Sequence, residues 1–133
     1  SYMANETNFR ALKEAESNNL IVPLVGDFAG ARAIRSVASY LKERKAIVTA
    51  FYLSNVEQYL FNQGDDWSKF YTNVSQLPLD STSTFIRSVF NGMGTYGGFM
   101  RGEQMLASIL AQTRAFKEGK LQSYWEVINS SHP

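Results

Sequence analysis

The chain has 133 residues, 44% of them apolar, 19% charged and 14% aromatic, a globular composition long enough to bury a core as one α/β domain spanning residues 1–133. Thirteen Lys and Arg against twelve Asp and Glu leave a net charge of +1, too weak a field to recruit nucleic acid or an anionic membrane. The absence of cysteine and the single histidine, His132, exclude disulfide frameworks, thiolate chemistry and multi-histidine metal sites, so no metal is expected.

In chain order, Phe9, Leu12 and Ala15 recur among charged residues and predict a short amphipathic helix over Glu6–Ser17, ended by Asn18-Asn19. Leu20-Ile21-Val22-Pro23-Leu24-Val25 is apolar without alternation and predicts a strand covered on both faces, with Pro23 marking an edge or a bulge. After the turn Gly26-Asp27-Phe28-Ala29-Gly30, a helix is expected from Ala31 to Arg44, with Ile34, Val37, Ala38 and Leu41 inward. Ala46–Leu53 reads as a second strand, so that strand, helix and strand form a right-handed βαβ crossover.

Ser54-Asn55-Val56-Glu57 has the form of a capping box opening a third helix, and Trp67, Phe70, Tyr71 and Val74 stripe a fourth. Thr84–Phe90 alternates and predicts a third strand. A glycine-rich loop over 91–102 is expected to be flexible, followed by a helix over Glu103–Lys117. Leu121–Asn129 is compatible with helix or strand. The expected architecture is a small, mostly parallel sheet of three or four strands flanked by helices, whose open edges and apolar faces imply a homo-oligomer or a missing partner half.

Candidate chemistry lies where strands end, because amides at the following helix N-termini gather there. Gly26, Asp27 and Phe28 follow the first predicted strand, Ser54, Asn55 and Glu57 the second, and Arg87 lies near the end of the third. Asp27 is the best catalytic candidate, since a carboxylate at a strand end can take a proton or orient an amine; it can equally close an Asx-turn. The capping box accounts for Ser54 and Glu57 without any ligand, and leaves Asn55 unused. Gly92-Met93-Gly94-Thr95-Tyr96-Gly97 has the spacing of a dinucleotide fingerprint, but the next helix is not expected before Glu103, which favours a lid or connector. Arg32, Arg35, Lys42, Arg44 and Lys45 read as the solvated side of a helix.

Leu20–Gly30 together with Thr49–Leu60 resembles the C-terminal half of an uncharacterised bacterial family with a Rossmann-like fold, similar to S-adenosylmethionine-dependent methyltransferases. Thr84–Val89 and Gly119–Ile128 look like the same family, and Ala31 departs from it where proline is expected as the first helical residue. The resemblance implies that Asp27 and Asn55 sit on a substrate-side rim, while the glycine loop that holds S-adenosylmethionine belongs to an N-terminal half outside this sequence. Two functions are therefore expected as alternatives: small-molecule binding at the carboxyl ends of the strands, or a non-catalytic structural or protein-interaction domain. Without a secretion-type leader or a long apolar run, the expected location is the cytoplasm, and no membrane partner is expected.

Overall fold

The computed structural model describes residues 5–90 and 102–133. In chain order these form α1 (Glu6–Ser17), α2 (Ala33–Glu43), β1 (Ala50–Ser54), α3 (Val56–Phe61), α4 (Asp66–Val74), β2 (Thr84–Phe90), β3 (Gly102–Ser108), α5 (Ile109–Lys117) and α6 (Tyr124–Asn129). The sheet has the order β1-β2-β3 and is mixed: β1 runs parallel to β2, and β3 antiparallel to it. The expected mostly parallel arrangement is thus corrected to one parallel and one antiparallel pair. The glycine-rich loop expected over 91–102, and with it the fingerprint-like spacing from Gly92, falls outside the described residues except for Gly102, which belongs to β3.

The predicted first strand does not form. Leu20–Val25 pairs with nothing in the sheet: Leu20 and Ile21 bend off the end of α1 with their amides on the Ala15 carbonyl, and Leu20 and Val25 are 78% and 99% exposed. The expected crossover through α2 is therefore absent, and the parallel connection lies one unit later, running from β1 through α3 and α4 to β2. A periodicity test sees only that a run is apolar, and an apolar run without a ladder partner is not a strand. The second strand is shorter than expected, starting at Ala50.

The helix expected over Glu103–Lys117 is divided. Gly102–Ser108 pairs residue for residue with β2, from Thr84 opposite Ser108 to Phe90 opposite Gly102, and only then does α5 begin. Ser108 marks the junction, its hydroxyl accepting the Ala111 amide at 3.2 Å. The undecided C-terminal stretch is helical, and here a capping box does occur: Ser123 Oγ accepts the Glu126 amide at 3.3 Å while Glu126 Oε2 accepts the Ser123 amide at 3.2 Å. His132 bridges the outer side of β3, exchanging backbone hydrogen bonds with Leu106 of 2.6 and 2.8 Å.

One sheet face carries Phe51, Leu53, Phe85 and Ala107 into the core against the helices. Phe28, Phe51, Phe70 and Phe85 pack there with ring centroids 5.7 to 6.4 Å apart, in edge-on, tilted and stacked contacts. The opposite face presents the cross-strand row Tyr52, Ile86 and Leu106, of which Tyr52 is 58% exposed.

Candidate functional site

The residues singled out at the strand ends separate into three environments. Glu57 and Arg87 form the first, and each is only 1% exposed. A bulge between Tyr52 and Ser54, together with a left-handed Ser54 (φ 52°), turns the chain into α3 so that Glu57, in its first turn, is buried against Arg87 of β2. The predicted capping box at Ser54 is corrected accordingly. Asn55 is the N-cap residue, it makes no side-chain cap, and Glu57 serves the core instead of the helix end.

Arg87 Nε and Nη2 donate to the two carboxylate oxygens of Glu57, Nη1 donates to Ser131 Oγ at 3.0 Å, and Nη2 also donates to Gln112 Oε1. Tyr71 donates its hydroxyl to Glu57 Oε1. Burial, reinforced by the charge of Glu57, pushes the Tyr71 hydroxyl well above the usual tyrosine range. Burial opposes the charge on Arg87, yet the hydrogen bonds and charge of Glu57 outweigh it and raise its pKa. Every fully buried side-chain nitrogen and oxygen among the described residues has a partner. A charge pair this deep is supported only when fully hydrogen-bonded, and this network links β2, α3, α4, α5 and the C-terminal tail. Tyr71, Gln112 and Ser131 were missed by the sequence reading, because nothing local in their patterns signals a shared ion pair.

The second environment is the turn after Val25. Asp27 Oδ1 accepts the Ala29 amide at 2.9 Å and the Asp27 carbonyl accepts the Gly30 amide at 3.1 Å, so the carboxylate closes an Asx-turn. Asn73 of α4, buried and equally unforeseen, clamps this turn: its Nδ2 donates to the carbonyls of Phe28 (3.0 Å) and Gly30 (2.8 Å), and its Oδ1 accepts from Arg35 Nε (2.9 Å). Asp27 borders a polar cleft with Arg35, Asp66, Lys69 and Asn73.

The third environment is an apolar groove of about 400 Å³, within the size range of ligand and peptide pockets. Leu24, Gly26 and Phe28 form one wall, α2 contributes Ile34, Val37 and Leu41, and Ile47–Phe51 forms the floor. Gly26 is needed there, because a Cβ at that position would stand 2.4 Å from the Ala33 Cβ. Gly26 and Phe28 thus share a groove at the amino end of β1, while Ser54 and Asn55 lie at its carboxyl end. S-adenosylmethionine carries a sulfonium, an ammonium and a carboxylate; the groove lining offers Thr49 as its one polar side chain and no charge, so these residues do not fit that cofactor. Among the described residues no cluster of acidic or histidine side chains could hold a metal, and no helix is long and apolar enough to cross a membrane.

Fold and site together define a small mixed α/β domain with an ion-paired core, an open sheet edge and an apolar groove. Residues 1–124 match the model of a family described as Domain of unknown function (DUF7790), and the chain belongs to that family. No curated protein matches the sequence.

Proposed function

We propose that this domain is a non-catalytic protein-interaction module that binds an extended apolar segment along β1. The observation that carries the reading is the arm of residues 5–25. In α1 no residue is buried, Leu20 and Val25 stand mostly in water, and Ile21, Val22 and Leu24 are each about half exposed. Complete burial of such a side chain is worth about 1.5–3 kcal/mol, and most of that remains ungained here, so covering the arm is worth on the order of 6 kcal/mol.

The receiving side is β1. The outer side of β3 is blunted by the C-terminal tail, whereas among the described residues no backbone hydrogen bond reaches β1 from the side opposite β2. Ala50-Phe51-Tyr52-Leu53-Ser54 has no charge and no proline to discourage pairing. Strand addition supplies main-chain hydrogen bonds, and the adjoining groove supplies side-chain pockets.

The small-molecule reading at the carboxyl ends of the strands has weaker support. Glu57 and Arg87 satisfy each other, and Asp27 is engaged in a turn. Hydrogen-exchange mass spectrometry of the purified chain, alone, with added S-adenosylmethionine and in complexes recovered from native extract, tests the choice. The interaction reading expects the arm and β1 to exchange fast alone and to gain protection in complexes. An arm that stays fast throughout, with protection building around Ser54 and Asn55 on adding S-adenosylmethionine, would refute it.

A further inference from the structure

We infer that the segment received by β1 is the Leu20–Val25 arm of a second copy of this chain, exchanged reciprocally to form a strand-swapped homodimer; this rests on the interaction reading above. Among the described residues the chain carries both halves of the contact, an exposed apolar segment outside the sheet and a β1 edge that no backbone hydrogen bond reaches. The arm is tied at its base to its own body in a direction that leaves it in water. Gly26 lies tight against Ala33, Phe28 is wedged between Phe51 and Phe70, and Asn73 holds the Phe28 and Gly30 carbonyls. With its base held this way, most of the arm stays off its own β1, which leaves that edge to the arm of a neighbour.

The chemistry is self-compatible. Neither Leu20–Val25 nor Ala50–Ser54 contains a charge, and a net charge of +1 gives two copies little reason to repel. Pro23 has no amide hydrogen to donate, so an arm seated on β1 presents a poor outer edge to any further strand. Exchange between two copies therefore closes on itself instead of growing into a filament.

Light scattering on the eluting full chain across a concentration series tests the assignment, with V22D/V25D as the disrupting variant. Val25 is almost wholly and Val22 about half in water, so the pair of substitutions should leave the monomer folded, with circular dichroism unchanged at concentrations where the natural chain is monomeric. The expected result is a mass that doubles with concentration for the natural chain and stays single for the variant. Because the chain has no cysteine, Val22→Cys on one tagged copy and Ala50→Cys on another can be joined by a short bis-maleimide, and a product containing both tags is expected. A monomer at millimolar concentration, a dimer that survives V22D/V25D, or cross-linking only when both cysteines share one chain each overturns the inference. If that monomer's arm is protected in complexes with a different protein, the second-copy assignment fails while the interaction reading stands; an arm protected in no complex removes both.

Discussion

Replacing Arg87 with methionine tests whether the Glu57–Arg87 pair is architecture or a ligand site. The substitution keeps most of the side-chain length and removes all four hydrogen bonds that Arg87 donates, to both oxygens of Glu57, to Gln112 and to Ser131. It leaves Glu57 in a site only 1% exposed with the Tyr71 hydroxyl as its remaining partner. Removing one member of a buried pair costs about 3–5 kcal/mol, since the other charge stays desolvated and uncompensated. Domains of this size are stable by about 5–15 kcal/mol, so much of the fold's margin would disappear.

Urea unfolding followed by tryptophan fluorescence should show a midpoint lowered by about 2 M, given slopes of about 1–3 kcal/mol per molar. Glu57→Leu should cost a similar amount, leaving the guanidinium with Gln112 and Ser131 alone. The double replacement, Glu57→Leu with Arg87→Met, should be far milder than the sum of the two, because it removes both charges together. Single replacements that each cost less than about 1 kcal/mol, or strict additivity of the pair, would refute the reasoning and return Glu57 and Arg87 to the list of ligand-binding candidates.

Two further predictions concern the same core. Asn73→Leu leaves the Phe28 and Gly30 carbonyls without their donor and frees Arg35; it should cost about 2 kcal/mol in urea and speed amide exchange over residues 27–31, whereas unchanged exchange there would show that Asn73 is not the clamp. For Tyr71, the folded pKa is raised above the unfolded value, so the stabilisation is complete below the ordinary tyrosine pKa, about 10, and is lost as pH rises beyond it, where the unfolded chain ionises first. Urea midpoints between pH 8 and 11 should therefore fall more steeply above pH 10 for the natural chain than for Tyr71→Phe; parallel curves would contradict the burial of this hydroxyl.

The sequence by itself was decisive where local pattern is enough. The bounds of α1, the body of α2, the stripe Phe70, Tyr71 and Val74 of α4 and the alternation of β2 were all legible, because each follows from the period at which one face must be apolar. The Asx-turn at Asp27 was also open to local reading, since its hydrogen bond spans only two residues.

The tertiary structure decided what depends on a partner distant in sequence. Whether Leu20–Val25 is a strand turns on a ladder that the segment itself cannot supply. Gly102–Ser108 has helix-like spacing and becomes β3 only because β2 is there to pair with it. Ser54 and Glu57 have the letters of a capping box, yet Arg87, thirty residues away, draws Glu57 inward, because a buried guanidinium outweighs one exposed helix amide. Asn73, Gln112 and Ser131 carry no local signal at all; their roles are set by carbonyls and charges that only the folded chain brings within hydrogen-bond reach.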